Sequence, residues 1–165
     1  MKSVTVTLEY PGRTVEEVRA MLGDPEFRKA VCTYQQVEDS HVTVEEYDDG
    51  SMTVDLQRTY GTALVPSFAR KLVGATIDLV QREEWATPTN ATFEVSIPGK
   101  PGEVHGTATL VRQGTDTVEQ VAMDVRVAIP LVGGKLEDLI AGLLQDAFRA
   151  ENKVGVKWLA GEWEV

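Results

Sequence analysis

Four residues stand out because they are polar where an apolar side chain is expected. Arg58 follows Val54 and Leu56 on the apolar face of a strand that alternates from Met52 to Tyr60. Gln81 and Glu83 share the parity of Ile77, Leu79 and Trp85 in the next strand, and Glu151 lies between Phe148 and Val154 on the apolar stripe of a long helix. A buried charge without a partner costs several kcal/mol. Such groups must therefore pair, reach water or face a cavity. As a set they fit the few polar groups that orient a mostly apolar ligand. Glu83 or Glu151 could instead serve as a general acid/base if burial raised its pKa. The plainer alternatives are an internal salt bridge between Arg58 and one of the glutamates, snorkelling at strand ends, or a bulge that turns one of them outward.

The elements that must position these residues are legible from periodicity. Val4, Val6, Leu8 and Tyr10 alternate as a first strand. Thr14 with Glu17 forms a capping-box pattern ahead of Val15, Val18, Met21 and Leu22, and Asp24-Pro25 opens a second short helix that carries Phe27, Ala30 and Val31. Six more strands follow: near Gln36 to Tyr47, from Met52 to Tyr60, about Thr76 to Trp85, from Ala91 to Ile97, around Val104 to Leu110, and from Val121 to Ile129. Asp48-Asp49-Gly50, Thr87-Pro88-Thr89-Asn90, the Pro98–Gly102 run and Gln113–Asp116 are their turns, so neighbours should be antiparallel. Ser67 to Leu72 suits a turn or two of helix. Leu136 to Leu159 then repeats apolar residues at helical spacing, a rod of roughly 35 Å that only a broad apolar surface can bury.

Other constellations fail. His41 and His105 are isolated, and a single cysteine, Cys32, excludes both a zinc pattern and an internal disulfide. No nucleophile elbow or phosphate loop occurs, and neither cofactor nor metal is expected. A net charge of -10 argues against nucleic acid or an anionic membrane as a broad electrostatic partner. No stretch approaches a membrane span, and the N-terminus lacks the apolar block of a signal peptide. Free of repeats or linkers, the 165 residues read as one cytoplasmic domain, 1–165. One basic-apolar patch, Phe68 with Arg70 and Lys71, suggests either a lid or a transient membrane or protein contact. Trp158 and Trp163 could anchor a partner or pack against the sheet edge.

The element order resembles the START-like helix-grip (SRPBCC) superfamily of polyketide cyclases and birch-pollen-allergen-like proteins. Val65-Pro66-Ser67, the Val80–Trp85 run and the Ile129–Glu137 run look more specifically like its domain-of-unknown-function 2505 branch. The resemblance implies an α+β fold: a curved seven-stranded antiparallel sheet gripping a long C-terminal helix, with two short helices after strand one. It also implies a cavity between sheet and helix. The leading expectation is a binding or transport protein for a small hydrophobic ligand, lipid-like or polycyclic. Its ligand-binding residues would be Arg58, Gln81, Glu83 and Glu151 with Leu56, Tyr60, Leu79, Phe93, Met123, Leu144 and Phe148. A cyclase- or dehydratase-type enzyme using a pocket carboxylate is the alternative, with a protein-interaction domain as the third. No catalytic motif of the superfamily can be matched residue by residue.

Overall fold

The computed structural model describes residues 1–61 and 63–164. Strand β1 (Lys2–Tyr10) leads into helices α1 (Val15–Leu22) and α2 (Pro25–Tyr34); then come β2 (Asp39–Glu46), β3 (Met52–Tyr60), α3 (Ser67–Val73), β4 (Ile77–Thr87), β5 (Asn90–Ser96), β6 (Gly102–Gln113), β7 (Asp116–Val127) and α4 (Gly133–Leu159). The seven strands form one antiparallel sheet in the order β1-β7-β6-β5-β4-β3-β2. The chain therefore crosses from one edge of the sheet to the other through α1 and α2, and every later connection joins neighbours.

Local chemistry explains the boundaries. Thr14 Oγ1 accepts from the Glu17 N–H at 3.1 Å while Glu17 Oε1 accepts from the Thr14 N–H at 3.1 Å, a reciprocal cap. Asp24 caps α2 and Pro25 occupies its first turn, where its missing N–H is no loss. The alternating strands bury one face each: β4 sends Ile77, Leu79, Gln81, Glu83 and Trp85 inward, and its register shifts only after Trp85. No bulge has moved the inward polar residues outside.

Helix α4 lies on the concave face and buries Leu136, Ile140, Leu143, Leu144, Phe148 and Val154 against one continuous core. Each such side chain contributes roughly 1.5–3 kcal/mol of burial. The helix starts three residues earlier than its apolar stripe suggests. Gly133 makes this close start feasible, since a Cβ there would come 2.4 Å from the Val127 carbonyl oxygen. β2 begins at Asp39 rather than near Gln36, because residues 35–38 serve as the α2 exit, with Gln36 at φ +57. Strand β7 stops at Val127, so Ile129 is only partly buried in the connection to α4.

The two tryptophans near the C-terminal end pack on α2. Trp158 meets Phe27 edge-on at 5.6 Å, and Trp163 meets Tyr34 at 5.8 Å between ring centroids.

Candidate functional site

The inward polar residues converge, but around a cation that strand parity does not reveal. Arg28 on α2 is 2% exposed and grips Glu83 with two hydrogen bonds, Nη2 to Oε1 at 2.8 Å and Nη1 to Oε2 at 2.9 Å. Nη1 also lies 3.4 Å from Glu151 Oε2, and Nε donates to the Leu22 carbonyl at 2.8 Å. This fork-on-carboxylate geometry is the strongest form of the pair. Glu83 takes two further donors, Gln81 Nε2 at 2.8 Å and Trp85 Nε1 at 3.0 Å. The alternative of a salt bridge between Arg58 and a glutamate is not the pairing found among the described residues. Arg58 Nη2 donates to Gln81 Oε1, and Arg28 takes the glutamates because α2 lies across them.

Electrostatics divides the three buried carboxyls of this cluster, Glu83, Glu119 and Glu151. Burial alone would raise Glu83, yet the charge of Arg28 and the hydrogen bonds from Arg28, Trp85 and Gln81 outweigh it and hold the carboxyl below its usual range. Glu119 on β7 is 2% exposed and forms no ion pair among the described residues. Burial, then the negative charge of Glu151 beside it, pushes the Glu119 carboxyl well above the usual range and so favours its neutral form. Glu151 is raised by burial, with Arg28 opposing. Glu83 is consequently an ionised counter-ion and a poor proton shuttle. The acid of the cluster is Glu119.

Space is the second finding. Between α2, β3, β4 and α4 lies a cavity of about 20 Å³, lined in part by Leu56, Arg58, Gln81, Phe148 and Glu151. That is room for one water-sized group. The hollow that a long helix over a curved sheet would leave is filled by aromatic rings. Phe93 reaches into the space above Gly106, whose Cβ would sit 2.3 Å from the ring, and its centroid lies 5.6 Å from that of Phe148 on α4. Glu83 flanks the cavity as the partner of Arg28; Tyr60, Leu79, Phe93, Met123 and Leu144 are buried in the core without lining it. A larger depression, about 540 Å³, lies on the opposite face of the sheet among residues such as Ser51, Thr53, Thr92 and Thr107, and it is open to solvent.

Several buried polar atoms around this region have no hydrogen-bond partner among the described residues: Arg58 Nε, Gln35 Oε1 and Glu151 Oε1 on cavity-lining residues, with the hydroxyls of Tyr10 and Tyr60 nearby in the core. Of the basic-apolar patch, Phe68 and Lys71 are exposed, Lys135 Nζ sits 5.9 Å above the Phe68 ring, and Arg70 Nε donates to the Val65 carbonyl at 3.0 Å. His41 and His105 lie on the surface, beside Asp39 and between Glu94 and Glu103. Among the described residues no cluster suits a metal ion, and no helix is long and apolar enough to cross a membrane.

Arg28 and Glu119 are hidden from sequence reasoning for different reasons. Arg28 follows Phe27 on a short helix, where an arginine reads as solvated. Its only signal is indirect: two inward glutamates against one inward arginine. Glu119 shares the parity of Val121 and Met123, so alternation extended by one step finds it.

Known proteins agree with this architecture. A protein of Thermus thermophilus superposes with a TM-score of 0.65 at 18% identity, covering 99% of this chain and 100% of its own. A START superfamily protein from Mycobacterium smegmatis gives 0.59 at 18% identity, over 93% and 97%. These likenesses place the chain in the START-like helix-grip fold. An uncharacterized protein of Mycobacterium tuberculosis is 24% identical over 169 aligned positions, spanning 96% of this chain and 97% of the relative. With residues 5–159 matched to it, the chain belongs to the family described as "Protein of unknown function (DUF2505)".

Proposed function

We propose that this protein binds a small hydrophobic ligand, lipid-like or polycyclic, between the concave sheet face and α4, and acts as a carrier or sensor. One observation carries the reading. Buried polar atoms without partners among the described residues line a cavity whose other walls include Leu56, Val31 and Phe148. Most buried polar groups in folded proteins are satisfied, so a set left open around one small cavity of mixed polar and apolar lining suits the polar end of a ligand. On this reading the 20 Å³ cavity is the closed form of the site. Entry of a ligand swings the Phe93 ring away from Phe148 and opens the space above Gly106. An opening that costs about 2.8 kcal/mol would weaken apparent affinity about a hundredfold, which still permits micromolar binding.

On this reading the ligand is loaded during transient contact with a lipid surface through the end of the molecule that carries α3. Leu64, Phe68 and the fully exposed Leu131 supply apolar side chains there, and Lys71 and Lys135 supply charge in an otherwise acidic chain. The single buried, free cysteine suits a reducing compartment such as the cytoplasm.

Native mass spectrometry followed by solvent extraction of the purified protein tests the proposal. Recurrent recovery of one apolar compound is the expected result. An empty protein that also shows no thermal shift with a panel of apolar probes overturns it.

A second reading, a cyclase- or dehydratase-type enzyme, draws on Glu119. A carboxyl that keeps its proton beside Glu151 is the kind of group that donates one to a leaving hydroxyl. Turnover abolished by Glu119→Gln, with ligand binding intact, would favour it; unchanged binding with no turnover of any hydroxylated polycycle would remove it.

A further inference from the structure

The cavity wall presents one donor, Arg58 Nε, and two acceptors, Gln35 Oε1 and Glu151 Oε1, that no described residue satisfies. Arg58 is 5% exposed; Nη2 is held by Gln81, while Nε has no acceptor among the described residues. Gln35, at the C-terminal end of α2, presents a buried carbonyl oxygen that no described donor reaches. Both residues line the cavity of about 20 Å³, together with Leu56 and Phe148. Glu151 lines it too and brings negative charge, since its Oε2 lies 3.4 Å from Arg28.

These facts constrain the polar end of any interior ligand. A group seated there must accept from Arg58 Nε and donate to one of the two open acceptors, of which Gln35 Oε1 is the neutral one. A carboxylate accepts but cannot donate, and it would meet the charge of Glu151 at close range. An ammonium donates but cannot accept, and it would face Arg58. Two buried arginines already stand against the carboxylates of Glu83 and Glu151, so the region calls for no further ion. A neutral hydroxyl meets both requirements and matches the size of the cavity. We infer that the ligand is a neutral alcohol or phenol whose hydroxyl sits between Arg58 and Gln35, with its apolar body turned towards Phe148 and Leu56. The inference rests on the interior-ligand reading above.

Three probes of one shape test it: 2-naphthol, 2-naphthoate and naphthalene, their affinities measured by equilibrium dialysis at neutral pH. The expected result is that 2-naphthol binds about tenfold more tightly than either analogue, the factor that one hydrogen bond to a charged group supplies. Amide hydrogen exchange read by mass spectrometry reports where the probe sits, because Val31 and Gln35 at the end of α2 and Leu56 and Arg58 on β3 line the cavity. Saturating 2-naphthol should slow exchange at the end of α2 and in β3. Replacing Gln35, which is half-buried, by Met should remove most of the advantage of naphthol over naphthalene; Arg58→Met should do the same if it folds, and Gln35→Met decides the matter if it does not. Equal binding of 2-naphthol and naphthalene overturns the hydroxyl assignment but leaves the interior-ligand reading standing. Preference for 2-naphthoate overturns it through the charge argument. Binding of 2-naphthol without added protection of α2 or β3 overturns the location, and failure of all three probes to bind overturns this inference together with the reading beneath it.

Discussion

Replacing Arg28 by Met removes the cation that holds three elements together while keeping nearly the same volume. In the folded protein Glu83 would then lie buried with only Gln81 Nε2 and Trp85 Nε1 to answer its charge, and Glu151 would lose its nearest guanidinium. Stranding one half of a buried pair costs about 3–5 kcal/mol, a large fraction of the roughly 5–15 kcal/mol that stabilises a domain. Urea unfolding followed by tryptophan fluorescence, with a check that the m-value is unchanged, measures the loss. The size of the loss should depend on pH. The Glu83 carboxyl is held below its usual range when Arg28 is present, so its contribution is full above about 4.5, the ordinary carboxyl value, and fades as pH falls through the lowered value. The deficit of Arg28→Met is therefore greatest near neutrality and narrows in acid, where the stranded glutamate takes up a proton. Adding Glu83→Gln to Arg28→Met removes the uncompensated charge and should recover roughly 2 kcal/mol. A loss below about 1 kcal/mol for Arg28→Met, or a double variant no more stable than the single one, would refute the assignment of this pair as the clasp of the fold.

Other substitutions examine other parts of the structure. Glu119→Gln should gain stability relative to the parent as pH rises above about 4.5: the unfolded chain releases its proton there while the buried carboxyl retains it, so the parent loses stability with pH and the glutamine variant does not. Parallel pH–stability curves for the two proteins would contradict a protonated Glu119. Phe148→Ala should cost about 3–5 kcal/mol and Leu143→Ala about 2–5 kcal/mol in chemical denaturation, because both face the core from α4. An unchanged midpoint for either would contradict that placement. Gly106→Ala should cost about 1–3 kcal/mol, since the added methyl would meet Phe93 Cζ at 2.3 Å and the Ala122 carbonyl oxygen, part of the backbone, at 2.8 Å. A urea midpoint equal to that of the parent would show that the Phe93 ring can retreat.

The fold is largely written in the period of the side chains. Val4 to Tyr10, Met52 to Tyr60 and Ala91 to Ile97 alternate without a break, and short turns leave antiparallel neighbours as the simplest arrangement. Inward polar residues are legible for the same reason, as exceptions to a strict alternation. What alternation cannot show is their partner. Arg28 comes from a helix of ten residues whose orientation over the sheet depends on how α1 and α2 turn at Gly23 and Asp24. Nor can spacing show whether the interior is open. Gly106 and Ala108 mark a place where bulk is missing from a strand, but only the direction of the Phe93 ring, set by its neighbours in three dimensions, fills it.

The clasp of Arg28, Glu83 and Glu151 joins positions 55 and 123 residues apart along the chain. Half-assembled forms gain nothing from it. A sheet that closed before α2 docked would trap two glutamates in oil, and β4 slid by one residue would throw Glu83 into solvent and strand the arginine. Incomplete assemblies are thereby penalised and the finished one is spared, so the last pieces should arrive together. In refolding, protection of the amides of α2, β4 and the C-terminal half of α4 should appear in a single kinetic phase.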